Sequence, residues 1–138
     1  MFRAAGFCFG VPIGRLAEVL PRHPVTPLPG SEPFIGGIIN VRGHIVTLMD
    51  LGLRLGLASV LSREDHQVAV LAHRGGRAAL AVEEVAGLRV RTETERQEAV
   101  AVLRGLRLEQ PFFTDVGEVD GELCIGLDLD EILSPILT

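Results

Sequence analysis

The sequence contains no tryptophan and no tyrosine, and its aromatic side chains are six phenylalanines. Proteins that stack nucleic-acid bases or sugars use planar aromatic side chains, so these absences count against both kinds of ligand. The net charge is −5, and no cluster of basic residues is present. Because phosphates and anionic lipids are bound by basic surfaces, we expect neither a nucleic-acid partner nor direct insertion into a membrane.

Long apolar runs are also missing, since none approaches the 18 residues that a membrane-spanning helix needs. The first fifteen residues are interrupted by glycine and by Pro12, which is not typical of a secretory signal. Only two cysteines occur, Cys8 and Cys124, too few for a disulfide framework. The sequence therefore predicts a cytoplasmic protein in which both cysteines are small apolar core residues.

Motifs for catalysis and for metal binding are absent as well. The four histidines lack the spacing of zinc ligands, and no Cys-x-x-Cys pair occurs. Neither a Gly-x-Ser-x-Gly nucleophile elbow nor a glycine-rich phosphate loop is present. We therefore predict no catalytic residue, no cofactor and no metal, and a binding or scaffolding role becomes more plausible than an enzymatic one.

The chain is instead rich in glycine (16) and proline (8), which separate apolar runs of four to eight residues. This spacing is typical of an all-β barrel or sandwich. The five prolines of 21–33 predict an extended loop, and 92–110 is ambiguous because part of it has helical spacing. We expect short helical turns at 52–57 and 130–137. The predicted strands are 7–13, 16–20, 37–41, 44–51, 67–73, 77–85, 88–91, 112–119 and 122–129.

The sequence repeats itself over a shift of 78 positions. When 33–55 is set over 111–133, seven of the 23 positions are identical, among them Asp50-Leu51 over Asp128-Leu129. Unrelated sequences would share roughly one or two such positions, and an internal repeat indicates repeated structural units. We predict two small β-barrels that share a core, within one domain of 1–138. The approximate subdomains are 1–60 and 66–133, and exchange of a strand or tail between them is allowed.

The repeat draws attention to Arg42, because it aligns with Asp120. Asp-Gly is among the most favourable two-residue hairpin turns, whereas arginine has no such advantage there. Arg42 is therefore a candidate functional residue, and the alternative is a solvated turn residue. Asp50 and Asp128 each precede a predicted helical turn, where an N-cap explains both.

Four segments together resemble the CheW family of adaptor proteins from bacterial chemosensory arrays. The most specific is the segment from Gly37 to Leu51, in which Asn-x-Arg-Gly joins two apolar strands. The resemblance covers nearly the whole chain. Its segments are "GIINVRGHIVTLMDL" (37–51), "FGVPIGRLAEVL" (9–20), "ALAVEEVAGL" (79–88) and "GEVDGELCIGLDLDEIL" (117–133).

This resemblance implies two SH3-like β-barrels on a common core and no enzymatic activity. It implies binding to the cytoplasmic tip of methyl-accepting chemoreceptors, in a groove between the barrels, and to the regulatory domain of a CheA-type histidine kinase. Other CheW-like adaptors are a further class of partner, and the location is cytoplasmic, at membrane or cytosolic receptor arrays. The family positions near the groove or its support are Leu16, Glu18, Gly37, Asn40, Val41, Arg42 and Leu88.

The resemblance also suggests roles for these residues. Leu16, Val41 and Leu88 would supply apolar contacts, and Arg42 would pair with a carboxylate or a backbone carbonyl of the receptor. One alternative is a short accessory member that binds receptors but has lost kinase binding, because the first strand is short and the chain stops at Thr138. A remote alternative is a small-ligand or enzymatic β-barrel, which would need a closed apolar cavity with converging polar groups.

Overall fold

A computed structural model describes residues 1–87, 92–93, 104, 111–119 and 121–136. About half of these residues lie in short strands and few lie in helices, so the all-β prediction is confirmed. The predicted strand 88–91, most of the ambiguous segment 92–110, Leu88 and Asp120 lie outside the described residues. The strands are β1 (Phe2–Ala4), β2 (Phe7–Gly10), β3 (Leu16–Leu20), β4 (Ile35–Val41), β5 (His44–Asp50), β6 (Gln67–His73), β7 (Gly76–Val82), β8 (Glu84–Val85), β9 (Thr92–Glu93), β10 (Phe113–Val119) and β11 (Glu122–Leu127).

Short helical segments follow three of these strands. A 3-10 turn spans Ile13–Arg15, helix α1 spans Leu51–Arg54, and helix α2 spans Leu129–Ile132. Both helices begin one residue before the predicted turns at 52–57 and 130–137, directly after an aspartate that caps the first turn. Asp50 accepts a hydrogen bond from the backbone N–H of Leu53, and Asp128 accepts one from that of Glu131.

The strands form two sheets. The six-stranded sheet has the order β8-β1-β2-β11-β10-β9, and the five-stranded sheet has the order β3-β6-β7-β5-β4. The pairs β2–β11 and β5–β7 are parallel, and the other described pairs are antiparallel. The sheets do not divide the chain into 1–60 and 66–133. β1 and β2 join the C-terminal hairpin, so the first strands are exchanged into the second unit.

The proline-rich loop covers the outer edge of the five-stranded sheet. Thr26 and Ile38 exchange two backbone hydrogen bonds of 2.9 and 2.8 Å, and the Nε2–H of His23 donates to the carbonyl of Asn40 at 3.0 Å. The prolines favour an extended backbone in this loop, which places Thr26 alongside β4. The loop thus links the end of β3 to the opposite edge strand and closes this sheet towards a barrel.

The sequence repeat corresponds to a repeat in three dimensions. In each copy a hairpin is followed by a four-residue helix, as β4–β5–α1 and β10–β11–α2. The backbone N–H of Asp50 donates to the carbonyl of Phe34 at 2.8 Å, and that of Asp128 donates to Phe112 at 2.7 Å. Each aligned pair of residues therefore makes the same bond.

One arginine joins the two copies. The guanidinium of Arg54 lies 4.7 Å from the ring centre of Phe34 and 4.5 Å from that of Phe112, which are aligned residues of the repeat. It also donates to the carbonyls of Ile132, at 2.9 Å, and Glu131, at 3.1 Å, in the last turn of α2. Burial lowers the pKa of Arg54. Because it contacts both copies, Arg54 fixes their relative position.

The predicted strand 77–85 is split between the two sheets. β7 ends at Val82, and β8 pairs with β1 in the other sheet. Glu83 is the crossing point: its N–H donates to the carbonyl of Arg3, and its carboxylate accepts from the N–H of Ala5. The turn before β7 is Arg74-Gly75, because Gly76 already belongs to β7.

Candidate functional site

Arg42 and Gly43 form the two-residue turn of the β4–β5 hairpin. Their φ angles are 52° and 86°, and the side-chain oxygen of Asn40 accepts a hydrogen bond from the N–H of Gly43 at 2.9 Å. Positive φ at both positions matches the turn types that suit a twisted hairpin. Ala5 and Arg74 also have positive φ before a glycine, so this conformation alone does not distinguish Arg42.

The side chain of Arg42 belongs to a charged cluster with Glu18 and Arg77. Its Nε donates to the two carboxylate oxygens of Glu18, at 3.3 and 3.2 Å, and Nη1 of Arg77 lies 3.8 Å from the same carboxylate. The Arg42 side chain is 76% exposed, whereas that of Glu18 is only 19% exposed. Two guanidinium groups therefore share one shielded carboxylate, and the cluster carries a net positive charge. We call these three residues the arginine cluster.

The strands explain how this cluster forms. A bulge between Leu16 and Glu18 shifts the register of β3 against β6, and Arg77 lies near the start of β7. Arg77 was not predicted from the sequence. No local pattern indicates that a side chain of β7 contacts one of β3 across β6. Asn40 is exposed and stabilises the turn, so the structure brings together Glu18, Asn40 and Arg42 from the predicted set.

Two other predicted residues have interior positions. Val41 is buried in the main core, so it supports the hairpin from inside and cannot supply the apolar contact predicted for it. Gly37 is also buried and has a φ of 140°. A β-carbon at this position would lie 2.1 Å from the carbonyl oxygen of Thr26. Gly37 therefore permits the close approach of the proline-rich loop to β4.

Replacing Gly37 by alanine is expected to lower the free energy of unfolding by about 2 kcal/mol, because the new methyl group overlaps backbone atoms. Urea denaturation would measure the loss. Gly14→Ala is the matched control, since a β-carbon at Gly14 meets no atom within 4 Å. Equal stability of the two variants would contradict a structural role for Gly37.

Leu16 lies beside a cleft and not in the arginine cluster. The cleft has a volume of about 630 Å³ and runs between residues of the two sheets. Its walls are mostly apolar and include Phe2, Ile13, Leu16, Val85 and Leu127. Ile13 is more than half exposed, although it was not singled out from the sequence. Because Leu16 and Glu18 are two residues apart on β3, the cleft and the arginine cluster are neighbours, about 7 Å apart along the strand.

Other chemistry is not assembled in the described parts of the chain. Across those ranges, no group of three or more histidine, cysteine, aspartate and glutamate side chains is placed to hold a metal ion. No described helix is long and apolar enough to cross a membrane. Arg3 and Glu122 form a two-bond ion pair on the six-stranded sheet, which lowers the pKa of Glu122. That pair links β1 to β11.

Comparison with known families gives a match over almost the entire chain. The family model for CheW, described as a CheW-like domain, matches residues 1–136. The chain is 38% identical to Protein PilI of Pseudomonas aeruginosa over 87 residues, which cover 63% of this chain and about half (49%) of PilI. It is 24% identical to Chemotaxis protein CheW of Rhizobium meliloti over 131 residues, covering 95% of this chain and 83% of that protein.

A solved structure shares the fold. The crystal structure of scaffolding protein TtCheW from Thermoanaerobacter tengcongensis matches with a TM-score of 0.77 at 22% sequence identity. The match covers 96% of this chain and 88% of that one. At this level of identity the likeness concerns the fold, and it agrees with the predicted pair of small β units.

Proposed function

The chain belongs to the family of CheW-like domains, and we propose that it is a non-catalytic adaptor that couples chemoreceptors to a CheA-type histidine kinase. In this proposal it works in the cytoplasm, at membrane or cytosolic receptor arrays, where other CheW-like adaptors are further partners. The observation that carries the proposal is Arg42, a largely exposed guanidinium held by a shielded carboxylate at the tip of a hairpin.

The pairing with Glu18 gives Arg42 a defined orientation. A free arginine side chain loses conformational entropy when it binds, and a pre-existing ion pair reduces that loss. The carboxylate also attracts the guanidinium of Arg77, so an acidic residue of a partner meets two positive charges. A carboxylate on the receptor tip can therefore bind Arg42 while Glu18 keeps Arg77 as its counter-ion.

The cleft supplies the apolar part of the proposed surface. Leu16 and Ile13 line it next to the arginine cluster, on the same stretch of chain. An amphipathic helical hairpin fits such a combination, with apolar residues in the cleft and an acidic residue at its rim. The receptor is thus proposed to contact both the cleft and the arginine cluster. Gly37 and Val41 would support this surface from inside the protein.

Kinase binding is retained in the proposal. One ground for the alternative of an accessory member without kinase binding was a short first strand at a sheet edge. β1 has three residues, but it is paired on both sides, with β2 and with β8. β1 is therefore not at the edge of the sheet. Its short length does not take away an edge at which a partner could dock.

Arg42→Ala is expected to weaken binding of a receptor cytoplasmic fragment at least tenfold, because a charge-assisted hydrogen bond is worth about 1.5–3 kcal/mol. Stability should change by less than about 1 kcal/mol, since Arg42 is exposed and its ion pair is solvated. Isothermal titration calorimetry would measure binding, and urea denaturation would measure stability.

Arg63→Ala is the matched control for this experiment. Arg63 is likewise exposed, at 51%, and lies near a shielded carboxylate, that of Glu83. Its removal should leave receptor affinity unchanged. Unchanged affinity of Arg42→Ala would refute the role of Arg42. Absence of binding by the unaltered protein to both the receptor fragment and the kinase regulatory domain would refute the adaptor function itself.

A further inference from the structure

A small sulfur-rich cluster lies on the face of the six-stranded sheet that points away from the main core. Cys8 on β2 and Cys124 on β11 are direct neighbours across the parallel pairing, and both are buried. Neither is in a disulfide. They pack with Val119 and Met1 into a cluster that is separate from the main core, to which Phe9 and Ile125, the next pair in register, belong.

Met1 contributes a third sulfur to this cluster. Its thioether Sδ lies 3.6 Å from Sγ of Cys8. Two backbone hydrogen bonds of 2.8 Å hold Met1 in place: its amino group donates to the carbonyl of Gly87, and its carbonyl accepts from the N–H of Ala86. Met1 and Cys124 also line the cleft between the sheets, which gives an ion a path to the sulfurs.

We propose that Met1, Cys8 and Cys124 bind one Cu(I) ion, with two thiolates and one thioether as ligands. Thiolate and thioether are the soft ligands that select Cu(I) over harder cations. A metal–thiolate bond is about 2.3 Å long, so sulfurs around a trigonal ion lie about 4 Å apart. The distance between Met1 and Cys8 is already close to this value, and strands paired at about 4.8 Å bring the two cysteines within the same range.

The charges around the cluster fit a cation bound by thiolates. Two thiolates and Cu(I) carry a net charge of −1, and Arg3 is paired with Cys8 across β1 and β2. The positive charge of Arg3 favours the thiolate, although Arg3 is shared with Glu122. A harder dication would need oxygen or imidazole ligands, and the described residues of the cluster supply neither.

The Cys8 thiol lies buried beside Cys124. Burial, with the neighbouring Cys124 as the next cause, raises the pKa of Cys8 to about 12. Because the thiolate is the reactive form of cysteine, this raised pKa disfavours a redox switch at Cys8.

The experiment uses Ag(I) as a redox-inert probe on the reduced, full-length protein without oxygen. Calorimetry and native mass spectrometry should show one ion per chain, and Cu(I) should then displace Ag(I) in competition with bicinchoninate. Cys8→Ala and Cys124→Ala should each weaken Ag(I) binding at least a hundredfold. Met49→Leu removes a buried thioether of the main core and should leave binding unchanged. In the Met49→Leu variant Met1 is the one remaining methionine, so norleucine can replace it alone. This replacement should weaken Ag(I) binding about tenfold.

Two results would overturn the proposal. The first is Ag(I) binding of equal strength in the two cysteine variants, which circular dichroism must show to be folded. The second is loss of the β-sheet dichroism when Ag(I) binds the unaltered protein, because the thiols would then react only after unfolding. None of these results bears on the adaptor function.

Discussion

Asp50→Ala is expected to lower the free energy of unfolding by about 4 kcal/mol. The Asp50 side chain is fully buried, and its carboxylate accepts hydrogen bonds of 2.7–3.1 Å from the N–H groups of Leu53, Val60 and Leu61 and from the hydroxyl of Ser59. The variant would leave these donors without their partner, and each unsatisfied buried donor costs about 1–3 kcal/mol, some of which water entering the gap recovers. Urea denaturation with an unchanged m-value would measure the loss.

The repeat provides a matched control for this experiment. Asp128 is the aligned residue and caps α2 in the same way, but among the described residues its carboxylate accepts only one bond, an exposed one of 3.2 Å from the N–H of Glu131. Asp128→Ala should cost only about 1 kcal/mol, the usual value for an N-cap. If the two variants lost the same stability, capping would account for both aspartates and the additional bonds of Asp50 would contribute nothing.

Arg54→Ala is expected to cost about 3 kcal/mol. The variant removes two contacts with aromatic rings, each worth about 0.5–2 kcal/mol when shielded from water. It also leaves the carbonyls of Glu131 and Ile132 without the guanidinium that they accept from. Since this residue joins the two copies of the repeat, the loss should appear as lower cooperativity of thermal unfolding as well as a lower midpoint.

Arg54→Lys separates charge from shape. Lysine keeps the positive charge but lacks the planar group that stacks between Phe34 and Phe112, so it should recover less than half of the lost stability. Arg22→Ala, at an exposed position, should be neutral within about 0.5 kcal/mol. If Arg54→Lys were as stable as the unaltered protein, the rings would interact with the positive charge and not with the planar guanidinium.

Local features of the fold could be predicted from the sequence because local physics determines them. Arg42-Gly43 fixes its turn through positive φ angles, and Asp50 and Asp128 begin their helices through a bond to a nearby N–H. The repeat was detectable because both copies keep the residues that make these bonds. Two of the three residues of the arginine cluster were predicted. Arg42 came from the repeat and from the family resemblance, and Glu18 came from the resemblance alone. No local signal indicated Arg77.

The errors concern contacts between distant parts of the chain. Glycine and proline spacing marks where a strand ends, but it does not indicate which sheet the next residue enters, so the crossing at Glu83 was missed. Val41 has the same apolar character whether it faces a partner or the core. Gly37 was predicted as part of the groove or its support, but the sequence did not indicate that its lack of a β-carbon permits the approach of Thr26. Such distinctions depend on the partner strand, which the local sequence does not contain.

The parallel pairing of β2 with β11 has a consequence for the order in which the protein folds during synthesis. The five-stranded sheet is built from residues 16–82, so all its strands are synthesised before the β10–β11 hairpin. The first two strands are made earlier still, yet their ion pair between Arg3 and Glu122 spans 119 positions. Closing so long a loop is slow, and β2 keeps an unpaired edge until the last hairpin emerges. The beginning of the chain is therefore among the last parts to reach its native place, and it is the part most exposed to wrong pairing while translation continues.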